Sequence, residues 1–189
     1  MGKMGKLLLG ILVAVLTVTS AGAEDFRKVS WGASPAEIEA AEGKKADHKS
    51  AKGLIYMTTL AGMKCMVMYG MKNGKLQKGV YSFEERRPNH QLFIDDYNKI
   101  DALLEKKYGN GKVLDTWSSN IYKSDSSKHG SALWLGHVSK MTSFESGENL
   151  IAHTMSNSGK NINHYIMYQS QASMRENSKE VEQSALDDL

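Results

Sequence analysis

Residues 63–83 read MKCMVMYGMKNGKLQKGVYSF. Side chains on both sides of Asn73-Gly74 recur with a period near two. Asn-Gly between two such runs is the strongest short signal for a β-hairpin, because both residues accept positive φ. A two-residue loop there pairs Met71 with Leu76, Val67 with Val80 and Cys65 with Ser82. GLIYMTTL at 53–60 precedes the hairpin with the same period. Three consecutive antiparallel strands are therefore expected.

Helices flank this meander. Ser34-Pro35-Ala36-Glu37 matches a capping box with proline at the first helical position, so a helix over 35–42 is expected, stopping at Gly43. Pro88-Asn89 opens a second helix. Its apolar stripe is Phe93, Tyr97, Ile100, Leu104 and Tyr108, widened by Leu92 and Leu103, and Gly109 ends it. A second set of strands follows: VLDTWSSNIY (113–122), SALWLGHV (131–138), KMTSFES (140–146), NLIAHTM (149–155) and NINHYIMYQ (161–169). Turn residues separate them at 124–130, 146–148 and 157–160. The expected fold is α+β: two helix-then-antiparallel-strand units forming one meandering sheet packed by helices. The globular domain spans 24–170, with candidate halves at 26–87 and 88–170. Residues 171–189 are polar with only Met174, Val181 and Leu186 in a weak helical pattern, and are expected to form a peripheral C-terminal tail.

The chain has 189 residues, a formal net charge of +3 and one cysteine. One cysteine excludes a disulfide framework and a four-thiolate zinc site. So small a net charge is far from a nucleic-acid-binding surface, and lysine clusters such as Lys44-Lys45 are balanced by nearby acids. Residues 1–23 have the form of a signal peptide: Lys3 and Lys6, an apolar run from Leu7 to Val18, then Ala21-Gly22-Ala23 for cleavage. The run is shorter than the roughly 20 residues that span a bilayer. Cleavage would start the mature chain at Glu24, about 166 residues with a charge near +1. Without a cysteine after the small residues no lipid can be attached. A periplasmic or secreted protein is expected, with no stable membrane insertion after cleavage; a retained N-terminal anchor is the alternative.

Three stretches carry a resemblance: FRKVSWGASPAEIEAAEG (26–43), KLQKGVYSFEE (75–85) and LLEKKYGNG (103–111). Together they are similar to uncharacterised exported bacterial proteins with an N-terminal W-G-x-S-x-x-E helix start. More distantly, G-x-S-x-x-E followed by a hairpin resembles the helix-and-hairpin modules of small outer-membrane-assembly lipoproteins and β-lactamase-inhibitor-like domains. That resemblance implies a protein-binding scaffold in the envelope and brings no catalytic residues. The chain departs from the lipoproteins in lacking the lipid-accepting cysteine.

Candidate chemistry is sparse. With a turn centred on Ser158-Gly159, His153 lies directly across from His164, Cβ atoms roughly 5 Å apart. Such a pair can hold a divalent metal such as zinc if His137 or Glu145 supplies a third ligand, or can stack, or act as a pH-sensitive pair. Met63, Cys65, Met66, Met68 and Met71 form a soft ligand set suited to Cu(I). Strand alternation, however, puts Met63, Cys65 and Met71 on one face and Met66 and Met68 on the other, so flexible core filler is the simpler use. Cys65, in an apolar strand, reads as a small core hydrophobe rather than a nucleophile. Glu84-Glu85 and Asp95-Asp96 are sequence neighbours that point apart. No hydrolase, P-loop or dinucleotide fingerprint occurs. His48, His90 and His129 have no assigned role. The tyrosines and tryptophans, Trp31 among them, read mainly as packing, some as lining for a groove.

The expected function is therefore a non-enzymatic binding or interaction protein of the envelope, with another envelope protein or a small ligand as partner. The alternatives are a periplasmic metal-binding protein using His153 and His164 or the 63–71 strand, and a hydrolase built from scattered carboxylates and histidines.

Overall fold

In the structure, a computed structural model, residues 24–159 and 161–187 are described, and the signal peptide expected at 1–23 lies outside them. The elements in chain order are α1 (Pro35–Glu42), β1 (His48–Ser50), β2 (Gly53–Leu60), β3 (Met63–Lys72), β4 (Lys75–Phe83), α2 (Gln91–Tyr108), β5 (Lys112–Val113), β6 (Thr116–Trp117), α3 (His129–Trp134), β7 (Val138–Ser146), β8 (Asn149–Asn157), β9 (Ile162–Ser170) and α4 (Gln171–Asp187). All strand pairs are antiparallel. The sheet runs β1-β2-β3-β4-β9-β8-β7-β5, with β6 also on β7. Two three-stranded meanders, β2-β3-β4 and β7-β8-β9, thus meet through their last strands. The fold is α+β with a meandering antiparallel sheet. No helix among the described residues is long and apolar enough to cross a membrane.

Local chemistry explains the elements that matter. The Ser34 hydroxyl accepts from the Glu37 amide, and the Glu37 carboxylate accepts from the Ser34 amide at 2.7 Å, so the capping box is formed. Ile38 is fully buried under α1 and anchors it with about 1.5–3 kcal/mol of apolar burial. At the 63–83 hairpin Asn73 and Gly74 adopt φ of 52° and 71°, and Met71 pairs with Leu76 as expected. Beyond that the register differs from expectation. A bulge at Gly70/Met71 pairs Gly70 with Lys78, Val67 with Tyr81 and Cys65 with Phe83. The extra residue lets Leu76 face the core on one side of the bulge and Gly79 and Phe83 on the other. Gly79 is needed there, because a Cβ at that position would lie 2.3 Å from the Phe26 ring.

Helices cover one face of the sheet. Under α1 and the C-terminal half of α2 lie Phe26, Leu54, Tyr56, Cys65, Val67, Tyr69, Ile151, Ile166 and Tyr168. Under the start of α2 and α3 lie Phe93, Ile94, Tyr97, Leu133, Val138 and Met155. The α2 stripe is narrower than its sequence suggests: Leu92 and Leu103 are exposed, and Ile94 is buried instead. The segment preceding α1 ties the halves together. Trp31 donates from Nε1 to Asn149 Oδ1 at 2.6 Å, and Asn149 donates to Asp25 at 3.1 Å.

Two sequence expectations are corrected, and the tail is defined further. Residues 131–138 are not a strand. Asp125 accepts from the Ser127 amide and starts a 3-10 turn that runs into α3, whose Ala132 and Leu133 are buried side by side rather than alternately. The 113–122 strand is reduced to β5 and β6, because Asp115 and Ser119 take backbone amides that a longer ladder would use. The tail forms a 17-residue helix, α4, held at its start by buried Ser173, whose hydroxyl donates to Gln77, and farther along by Lys72 on Glu176 and Glu180.

Both sheet edges carry the same device. β1 covers β2 only at Gly53–Ile55, and beyond it Asp47 accepts the Met57 amide at 2.6 Å. On the far side Asp115, paired with Lys140 at 2.7 Å, accepts the Met141 amide of β7 at 3.1 Å.

Candidate functional site

α2 brings Tyr97 and Asp101, one turn apart, down onto the core face of β7, β8 and β9, where Thr142, His153 and His164 point up. His153 is directly opposite Thr142 and Ile166, and His164 is opposite Met155. The β8–β9 turn therefore lies one residue farther along than a loop centred on Ser158-Gly159, and the histidines are diagonal neighbours rather than a facing pair. They still meet, with Nε2 atoms 2.9 Å apart. Tyr97 lies parallel to His153, ring centroids 4.0 Å apart, and Phe83 stacks on His164 at 4.3 Å.

Donor counting orders the protons. The Asp101 carboxylate accepts from His153 Nδ1 at 2.9 Å and from the Thr142 hydroxyl at 3.1 Å. With its proton on Nδ1, neutral His153 offers Nε2 as an acceptor, and His164 donates from its own Nε2. Thr142 has spent its hydroxyl proton, so Tyr97 donates to Thr142 Oγ1 at 2.9 Å, sharing with the His153 carbonyl at 3.3 Å. Burial pushes His164 down to about 3, helped by neighbouring His153. Burial also lowers His153, outweighing the opposing pull of Asp101. Both imidazoles are neutral at neutral pH.

The zinc set of His153, His164 and His137 is not assembled. No hydrogen bond or ring contact joins His137 to the pair. Its ring lies beside Tyr122, and its Nδ1 is buried without a partner. Glu145 is exposed and follows Phe144, whose ring is in the core, so strand alternation turns it to the other face. Two zinc–nitrogen bonds at a tetrahedral angle would hold the nitrogens about 3.3 Å apart, wider than the hydrogen-bonded contact present. No group of three or more His, Cys, Asp or Glu among the described residues is arranged to hold a metal ion. Asp101, the residue that organises the cluster, has a sequence signal: it follows Ile100 on the apolar stripe, where an acid is out of place unless partnered.

A second polar cluster lies under α1. Arg27, at φ 56°, grips Glu42 with two bonds of 2.6 and 3.0 Å, Tyr69 donates to the same carboxylate, and Arg27 reaches the Tyr81 hydroxyl at 3.4 Å. Burial acts to raise the Glu42 carboxyl, but bonds from Arg27 and Tyr69 outweigh it and hold it below the usual range. Cys65 is fully buried and its thiol is pushed up by burial, so it is core and not a nucleophile.

The histidine pair is largely closed to the surface. His153 is 0% exposed and His164 5%. Two surface cavities of about 660 and 670 Å³ are lined elsewhere, one by Glu84–Arg87, His90 and Trp134, the other by Asp25, Lys107, Tyr108 and the β7–β8 turn.

The sheet face turned away from the helices is different. Two cross-strand rows traverse six strands on that side: Ile55, Met68, Val80, Met167, Ala152 and Ser143; and Met57, Met66, Ser82, Tyr165, Thr154 and Met141. Apart from exposed Met57, these side chains are half-buried. At about 4.8 Å per strand the rows extend roughly 24 Å. Comparison with protein-family models, with curated proteins and with solved structures found no match to this chain.

Proposed function

We propose that the chain is a non-enzymatic binding protein, exported through its N-terminal segment to the periplasm or beyond, and that the open sheet face receives a partner protein. The observation that carries this reading is the pair of uncharged, methionine-rich rows crossing both meanders. Small-molecule sites are concave and enclose their ligand, whereas a face about 24 Å wide suits a protein surface. The buried histidines offer little to a ligand, because His153 spends both ring nitrogens on Asp101 and His164. The resemblance to envelope protein-binding scaffolds agrees.

The test uses fold-preserving charges on the open face. Met167→Lys lies where the first row crosses from one meander to the other, and Thr154→Lys lies one strand beyond the crossing of the second. Immobilised wild-type protein is expected to retain a specific envelope protein that both variants lose, with their circular dichroism and melting unchanged. Equal retention by the variants, or recovery of the wild type alone at several salt concentrations, would overturn the reading.

A further inference from the structure

We propose that Met57, Met66 and Met68 form a three-thioether site for Cu(I) at one corner of the open sheet face. Met57 and Met66 are directly opposed across β2 and β3, and Met68 is the next residue of β3 on that face, opposite Ile55. Directly opposed Cβ atoms lie about 4.5–5.5 Å apart, and the diagonal neighbour about 7–8 Å. Each methionine has three rotatable bonds, so the three sulfurs can converge above the strand surface without moving the backbone.

The face is what separates this set from the other sulfur groups of the same strand. Met63 and Cys65 point into the core, 3% and 0% exposed, and are closed to an ion. Met57 is 47% exposed, and Met66 and Met68 are partly exposed, so their thioethers can be reached from solvent. Thioether ligands select a soft, singly charged ion over zinc or hard cations, because they bring no charge and are polarizable. Ile55, Val80 and Ser82 border the set in the same rows and bring no charge, while His48, opposite Ile55 on β1, and Glu84 and Glu85, in the cavity that Met66 lines, stand at its margin. Met167 is separated from Met68 by Val80, and Met141 lies at the other end of its row, so three thioethers, not five, can converge.

The cation site shares the open face with the proposed partner, but the two are tested separately, since the partner variants at Met167 and Thr154 lie outside the triad. The probe is Cu(I) itself, kept reduced with ascorbate and shared with a chromophoric Cu(I) chelator. The wild-type protein is expected to withdraw one equivalent. Met66→Leu and Met68→Leu, which keep volume and hydrophobicity, should each bind at least about 10-fold more weakly, no less than the loss of an outer-shell partner typically costs. Cys65→Ser should bind as the wild type does, and X-ray absorption should report a sulfur-only, three-coordinate shell. Equal Cu(I) affinity in Met66→Leu and wild type overturns the site, as does loss of binding in Cys65→Ser. Retained Cu(I) binding with no captured protein would break the partner reading and leave the site standing.

Discussion

Each meander has a helix that lowers one carboxylate onto its core face, and the two carboxylates meet opposite chemistry. Glu42, at the end of α1, is met by the Arg27 guanidinium and the Tyr69 hydroxyl. Asp101, in α2, is met by a threonine and by a neutral histidine that passes the contact to a second histidine. The first cluster keeps its charge by neutralising it on the spot. The second spreads one charge over a chain of neutral donors. The clusters should therefore fail differently.

The largest effect is expected at the ionic cluster. Glu42→Ala leaves Arg27 against the core without its partner, and unfolding in urea should show a loss of about 3 kcal/mol. A loss below about 1 kcal/mol would mean that the pair behaves like a surface ion pair and that the contrast is false. Next comes pH. Unfolded histidines bind protons below about 6.5, whereas folded His164 does so only near 3, and folded His153 is also lowered. The unfolded state then holds more protons, so stability falls as pH drops below 6.5, by up to about 1.4 kcal/mol per pH unit for each histidine. Glu42, held low, adds its own loss only as pH falls below its ordinary value of 4.5. Denaturation curves between pH 6.5 and 5 should therefore report the histidine chain alone, and His164→Gln should flatten them. An unchanged slope in that variant would refute the neutral assignment.

Asp101→Asn keeps an acceptor for His153 but removes the charge. The expected loss is about 1.5 kcal/mol at pH 7, the scale of a hydrogen bond to a charged group. A loss as large as that of Glu42→Ala would erase the distinction between the clusters. The smallest effect belongs to the helices. Ser34→Ala removes the cap of α1 and should cost about 1 kcal/mol. At α2 the N-cap residue His90 makes no capping bond with its side chain; Asn89 Oδ1 accepts the Gln91 amide at 2.9 Å, and the helix rests on its buried stripe.

Much of this was legible in the residues, and the failures have physical causes. Local signals that satisfy backbone groups within a few residues read correctly: the Ser34–Glu37 box, the Asn73-Gly74 turn, the 53–60 strand. Signals that depend on a distant partner did not. The bulge at Gly70/Met71 follows from the need to seat both Leu76 and Phe83 in one core, and no window of sequence contains that requirement. Residues 131–138 are short and apolar, a pattern that strand and helix share, and the choice was made by packing against α2. The histidine pair was found through alternation, which survives a two-residue change in register because the side-chain period is two. The neighbour of the pair was not, since Asp101, rather than His137, is what the fold brings beside it.

The aspartates at the two sheet margins have a consequence for how copies of the protein can associate. A growing stack of strands advances by borrowing free amides and carbonyls from an outermost strand. Here Asp47 and Asp115 hold one such amide each, at Met57 and Met141, and set a negative group where an incoming carbonyl would have to come. Templated addition, the route to fibres, is thereby opposed at both ends. A molecule with an open sheet face is safer when its margins recruit less, and a single carboxylate near each margin here takes one amide out of that recruitment.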